Sequence, residues 1–208
     1  MTIDFGEAGP RLTAAADEPR DPMARLEALW ALAQQHEAEP AAMTLATVDH
    51  ESRPAARIVL LRALSERGLV FFTNYRSAKG RQLHENPYAA ACIYWRNMKV
   101  QIRVNGQVSM LDTEQSDAYF AGRPTQSQLG AWASEQSSFL GHRDELMGRV
   151  DERRRRYGEA SVPRPAHWGG YLIAPEQVEF WFDGEGRLHH RVLYQRQMTE
   201  WRVRLLQP

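Results

Sequence analysis

Three short runs of aliphatic, aromatic and β-branched residues, "AMTLATV", "ARIVLLRAL" and "GLVFFTN", follow one another within residues 42–74, parted only by "DHESRP" and "SERG". Connections of so few residues join antiparallel neighbours, because a parallel pair needs a crossover of a dozen residues or more. The pattern returns in "YAAACIYW" and "KVQIRVNGQVSML", and again towards the C-terminus in "GGYLIA", "QVEFWF", "HHRVLYQR" and "EWRVRLL". Strands this closely spaced predict a mainly-β chain of the α+β class, an antiparallel barrel with helices packed outside it.

Helical signals fill the gaps. Asp21-Pro22 supplies an N-cap and a proline in the first turn, and Met23, Leu26, Leu29 and Trp30 supply an apolar helical face. Ser77 can cap "AKGRQLHE", and residues 112–158 read as helical, opened by Asp112 and Gln115 at capping-box spacing. Residues 1–20 are rich in Ala, Gly, Pro and charge without periodicity, so a flexible arm is expected there and a single domain over 21–208.

Lys plus Arg and Asp plus Glu number 26 each, which gives no reason to expect a nucleic-acid or acidic-membrane partner. The run Arg153–Arg156 lies among acids at helical spacing and reads as a solvated helix face. Cys92 is the single cysteine, which rules out an intrachain disulfide or a cysteine metal cluster; within "AAACIYW" it is expected to be a buried structural thiol. The first residues lack the basic start and apolar core of a secretory signal, and no apolar stretch approaches membrane-spanning length. A cytoplasmic location is the expectation.

Against this neutral background, cations recur on apolar strands. In "RIVLLR", Arg57 shares a face with Val59 and Leu61, and Arg62 shares the opposite one with Ile58 and Leu60. Gln101, Arg103 and Asn105 share one face of "VQIRVNG". If the strand "VEFWFD" continues through "GRLHHR", alternation puts Arg187, His189 and Arg191 together and turns Leu188, His190 and Val192 away. Ser77 and Lys79 open a helix, where free amides favour an anion, and Arg123 and Ser127 are four apart and neighbours if helical. Cations placed this way converge on phosphates or carboxylates. No HExxH pair and no GxSxG turn occurs, so catalysis would require a bound cofactor.

"RIVLLR", "FFTNYRSAKG", "YFAGRPTQSQLGAWASEQS", "HWGGY", "EFW" and "RLHHR…LYQR" resemble, in order and over nearly the whole chain, the pyridoxamine 5′-phosphate oxidase family. The resemblance implies an FMN-binding split barrel that works as a homodimer, with FMN in the subunit interface. It implies that Arg57 and Lys79 hold the FMN phosphate with Thr73 and Ser77 nearby, and that Ile58, Val59, Leu60, Phe72, Gln101, Gln136, Ser137, Trp181 and Arg191 complete the cofactor site. It places Arg62, Tyr119, Arg123 and Ser127 around the anionic group of a small ring substrate. Arg187 and His189 then face the reacting ring, with Arg187 meeting developing negative charge and His189 handling a proton. Two electrons would pass from substrate to FMN and then to O2, giving hydrogen peroxide.

Some positions depart from the vitamin-B6 oxidases of that family. Arg62 stands where they usually have lysine, Val100 where they have arginine, His190 where they have an acid and Ala78 where many have a second arginine, and the first residues show no arginine–tyrosine arm. "DPM", "NPYAA…YWR", "NGQV" and the ending "RLLQP" are similar to the phenazine-biosynthesis branch, which oxidises dihydrophenazine carboxylates. The sequence therefore places a dihydrophenazine carboxylate first, with pyridoxamine or pyridoxine 5′-phosphate as the alternative. A non-catalytic flavin- or haem-binding split barrel is a third reading.

Overall fold

The structure, a computed structural model, describes residues 19–158 and 160–208; the expected arm, apart from its last two residues, lies outside them. Asp21 caps the first helix, α1 (Pro22–His36), its carboxylate accepting the amides of Met23 and Ala24. Four strands follow: β1 (Ala42–Val48), β2 (Pro54–Leu60), β3 (Ala63–Ser65) and β4 (Gly68–Asn74). Then come α2 (Ala78–Glu85), β5 (Tyr88–Trp95), β6 (Val100–Met110), α3 (Thr113–Ala121), α4 (Thr125–Ala133) and α5 (Arg143–Tyr157). The chain ends with β7 (Trp168–Phe182), β8 (His190–Gln197) and β9 (Glu200–Leu206).

All strand pairings in the described residues are antiparallel, in the order β2-β1-β5-β6-β7-β4-β3, with β8 paired to β7 and β9 to β8. β7 explains the shape. One edge pairs with β6, while the other pairs with β4 over Trp168–Ile173 and with β8 over Gln177–Phe182. The sheet therefore splits beyond β7 and curls into a half-barrel. Its inner face carries Met43, Leu45, Ala91, Ile93, Ile102, Val104, Val178 and Phe180, covered by Met23, Leu26, Leu29 and Ala33 of α1. A second apolar cluster, with Phe120, Leu129, Ala133, Val150 and Trp168, seats α3–α5 against the start of β7.

Several expectations are corrected. "GGYLIA" and "QVEFWF" are halves of one strand: Pro175 is tolerated because a bulge lies beside it, Asn105 pairing with Gln177 and Gly106 with Pro175. "ARIVLLRAL" is instead broken into β2 and β3, because the Leu61 amide donates to Ala41 while the Arg62 amide donates to Val70. The chain changes strand partner there, so Arg62 does not share a strand face with Ile58 and Leu60. Gln115 donates its side-chain Nε2 to the Asp112 carboxylate instead of accepting the Asp112 backbone amide on Oε1, so the cap lacks the reciprocal half of a capping box. Cys92 is half-buried rather than buried, on the sheet face of its partner Arg103. No helix among the described residues is long and apolar enough to cross a membrane.

"GRLHHR" is also not a continuous strand. Gly186 and Arg187 both adopt left-handed backbone, φ +63° and +65°, and the Leu188 amide returns to the Glu185 carbonyl. β8 begins only at His190. Alternation therefore does not carry Arg187 onto the face of Arg191, and Arg187 stands exposed on a turn.

Candidate functional site

Three groups of side chains gather the residues singled out from sequence. The first surrounds Arg57 and Lys79. Arg57 faces inward on β2, paired with Leu45, and its guanidinium donates to Leu45 O (3.1 Å), Thr47 Oγ1 (2.6 Å) and Gln82 Oε1 (3.1 Å). Ser77, fully buried, caps α2 by accepting from the Gly80 amide, which sets Lys79 in the first helical turn. Lys79 Nζ donates to Thr73 Oγ1 (3.2 Å), Ser77 Oγ (3.4 Å) and Gln136 Oε1 (3.1 Å). All six acceptors are uncharged, and neither cation has a carboxylate partner among the described residues. Burial pulls the Lys79 ammonium below its ordinary pKa and the Arg57 charge adds to that; burial lowers Arg57 as well. One buried and one half-buried like charge with only neutral acceptors lack a counter-charge among the described residues. Ser137, exposed in left-handed backbone at φ +73°, makes no hydrogen bond to this group.

The second group surrounds Arg123. Phe72 of β4 stacks on Tyr119 of α3 (centroids 3.7 Å, 7° apart), with Trp168 parallel to both. The Arg123 guanidinium lies over Trp168 at 4.5 Å, and its Nη1 is buried without a hydrogen-bond acceptor. Burial pulls Arg123 below its ordinary pKa, opposed by Tyr119 and reinforced by the charge of Arg62. Arg62 itself is exposed, between β2 and β3. Ser127 sits half-buried in the first turn of α4, but Arg123 precedes the Pro124 cap, so the two are not neighbours on one helix.

The third group lies on the outer face of the sheet. Trp181 of β7 pairs with Gln101 of β6 on one side and Arg191 of β8 on the other, so the three share a face. The His189 ring packs on Trp181 at 4.4 Å. Sequence reasoning missed the anchor of this group. Glu179, nearly buried, accepts Arg191 Nε (2.9 Å) and Nη2 (2.7 Å) on one oxygen and Arg103 Nη1 (3.1 Å) on the other, while Arg191 Nη1 donates to the Gln207 carbonyl. Cross-strand register creates that cluster, and a single sequence carries no signal of register at this range. Breaking a buried pair costs about 3–5 kcal/mol; with Arg103 half exposed, Glu179→Ala is expected to cost about 2–3 kcal/mol of stability in urea denaturation. A cost below about 0.5 kcal/mol would mean that solvent already compensates the two arginines.

The first and third groups cannot meet within one chain. Arg57 and Trp181 lie on opposite faces of the sheet, on strands separated by β1, β5 and β6, four spacings or about 19 Å at about 4.8 Å each. The outer face of this half of the sheet exposes Ile58 (64%) and Leu60 (38%) on β2 and Tyr94 (57%) on β5, the two strands that flank β1. Exposed apolar patches are a common feature of protein–protein interfaces.

Comparison with known proteins identifies the family. Residues 31–157 match the family model described as pyridoxamine 5′-phosphate oxidase, and residues 168–208 match the pyridoxine 5′-phosphate oxidase C-terminal dimerisation region. A pyridoxine/pyridoxamine 5′-phosphate oxidase of Paraburkholderia phytofirmans is 50% identical over 172 residues, 82% of this chain and 80% of its own. One of Myxococcus xanthus is 46% identical over 91% of this chain and 93% of its own. Among solved structures, PhzG from Burkholderia lata 383 in complex with tetrahydrophenazine-1-carboxylic acid superposes with a TM-score of 0.88 at 32% identity, covering 95% of this chain and 97% of that one. A pyridoxamine 5′-phosphate oxidase-related, FMN-binding protein from Nostoc punctiforme shares the fold, with a TM-score of 0.72 at 22% identity over 92% of this chain and all of the other.

Proposed function

Because the chain belongs to the pyridoxamine 5′-phosphate oxidase family, we propose that it is an FMN-dependent oxidase, a homodimer that oxidises pyridoxamine or pyridoxine 5′-phosphate with O2 as acceptor. The observation that carries this reading is the uncompensated pair Arg57 and Lys79. A phosphate supplies the missing counter-charge and can replace neutral acceptors with charge-assisted hydrogen bonds. Thr73, Ser77 and Gln136 are already in hydrogen-bond reach of Lys79 and would complete that cradle. β2 ends the sheet order, so the outer backbone edge of Ile58, Val59 and Leu60 can hydrogen-bond a planar ring. When bound, FMN supplies the two-electron chemistry, taking up a hydride equivalent and returning to its oxidised form with O2.

In this reading Gln101, Trp181 and Arg191 reach the flavin from the partner subunit, since a chain's own copies face away from its Arg57. Two symmetric sites would then lie in one two-fold interface. Ile58→Lys places a charge in that interface. It is expected to weaken dimerisation in sedimentation and to lower FMN affinity about tenfold or more together. A monomer that keeps full FMN affinity would remove the shared-site reading.

Arg123 supports a phosphate-bearing substrate. Its buried, partnerless Nη1 lies near the charge of Arg62 and just before the first turn of α4, where Ser127 adds a hydroxyl. Phe72, Tyr119 and Trp168 fix that corner by stacking, so Arg123 is held before any ligand arrives. The sequence order of the two substrates is reversed on this ground and on the 46–50% identity to relatives named as pyridoxine/pyridoxamine 5′-phosphate oxidases. The phenazine reading stays as the second, favoured by the likeness to a structure that holds tetrahydrophenazine-1-carboxylic acid. Oxygen uptake decides between them: turnover of pyridoxamine 5′-phosphate at least tenfold above that of a dihydrophenazine carboxylate, by the criterion of about 1.4 kcal/mol per decade, is the expected result. The reverse preference would move the assignment to the second reading.

A further inference from the structure

Each cation of the Arg57–Lys79 cradle is held by a threonine and a glutamine in the same way. Lys79 Nζ and the Thr73 hydroxyl both donate to Gln136 Oε1, at 3.1 and 3.2 Å, and Thr73 Oγ1 accepts from Lys79 in turn. Arg57 Nη2 and the Thr47 hydroxyl both donate to Gln82 Oε1, at 3.1 and 2.6 Å, and Thr47 Oγ1 accepts from Arg57 Nη1. Gln136 belongs to the cradle proposed above; Gln82 has no part in it yet. Gln82 follows Lys79 by three residues on α2 and shares its face of the helix, so one short helix serves both cations.

The donors fix the direction of these bonds. A guanidinium donates only, so the Gln82 oxygen must face Arg57 and the Nε2 hydrogens face away. Thr47, buried, spends its hydroxyl hydrogen on Gln82. The three side chains close a ring of hydrogen bonds that holds Arg57 without any negative charge. The one acid of α2, Glu85, lies against His50 instead, at 3.7 Å. Gln82→Glu would keep the bonds to Arg57 and Thr47, strengthen them by charge and supply the counter-charge from within the chain. The Arg57 half of the cradle would then be satisfied with nothing bound.

We propose that Gln82 is a specificity-determining residue of the cradle: it fixes the Arg57 guanidinium without neutralising it, so that the site takes a flavin bearing a phosphate and discriminates against riboflavin. The selectivity rests on the FMN reading above; the neutral hold on Arg57 does not.

Equilibrium binding of FMN and of riboflavin to the FMN-free protein, together with its urea denaturation, tests this. Gln82→Glu is expected to raise the Kd for FMN about tenfold or more and that for riboflavin by less than about threefold, which narrows the gap between the two ligands. Its FMN-free fold should have a higher urea midpoint than wild type, because Arg57 gains a carboxylate. Gln82→Met removes the acceptor and adds no charge, so it should lose less FMN affinity than Gln82→Glu and still prefer FMN. Unchanged FMN affinity in Gln82→Glu overturns the proposal, and so does an equal loss for both flavins, a lowered urea midpoint, or a methionine variant that loses the preference as fully as the glutamate one. Wild-type protein that binds FMN no better than riboflavin would sink the phosphate reading and the selectivity with it, while the urea midpoints would still decide whether Gln82 holds an uncompensated Arg57.

Discussion

Lys79→Ala is expected to raise the Kd for FMN about 10- to 150-fold, the equivalent of about 1.5–3 kcal/mol for hydrogen bonds to a charged group. The same substitution should make the FMN-free protein no less stable, because it removes the buried member of two neighbouring like charges that have only neutral acceptors among the described residues. Those two effects run in opposite directions, as expected where a site is kept ready for an anion at the expense of the empty fold. The pH dependence has a definite sign. Lys79 has a folded pKa depressed below 10.5, so its cost to the FMN-free fold is complete below that folded value and disappears as pH rises towards 10.5. The stability difference between Lys79→Met and wild type, measured by denaturation of the FMN-free proteins, should therefore narrow with rising pH in that window. Unchanged FMN affinity in Lys79→Ala would remove this residue from the phosphate site.

Arg187→Gly should lower kcat/KM by on the order of 10²-fold if the guanidinium orients the substrate and meets transition-state charge. It should also stabilise the fold. Arg187 holds left-handed backbone at φ +65°, a conformation that costs a non-glycine residue about 1–2 kcal/mol, only part of which glycine gives back as chain entropy. A net gain of about 0.5–1 kcal/mol is expected in thermal unfolding. An exposed cation with no carboxylate partner among the described residues, on a strained turn, is easier to explain by function than by folding. A variant that gains stability and keeps its turnover would leave the strain without that explanation.

Much of the fold was legible because its signals are local. β1, β4, α2, β5 and β9 coincide with the runs read from periodicity, and Ser77 and Asp21 cap the helices they were expected to cap. The errors lie where tertiary pairing overrides local pattern. Pro175 reads as a break between two strands, yet a bulge opposite Gly106 carries β7 through it. "RIVLLR" reads as one strand, yet successive amides of Leu61 and Arg62 bond to different neighbours. "GRLHHR" has strand-like alternation, but Gly186 and the close approach at Gly184 make it a turn. The site shows the same division. Arg57, Lys79, Thr73, Ser77 and Gln136 do come together, as do Trp181, His189, Gln101 and Arg191. Thr47, Gln82, Glu179 and Asp183, which hold the key cations and the imidazole, went unread because each acts through a partner fixed only by register or by the turn.

The central claim is that each FMN site takes its phosphate cradle from one subunit and its Trp181–Arg191 face from the other. Mixing Lys79→Ala subunits with Arg191→Gln subunits and measuring high-affinity FMN binding tests it most directly. Each parent dimer carries a defect in both of its sites. A shared site restores one intact copy in every mixed dimer, so random pairing should recover about one quarter of all sites. A site built within a single chain would be defective in every subunit of the mixture, and recovery indistinguishable from zero in protein shown to contain mixed dimers would contradict the account.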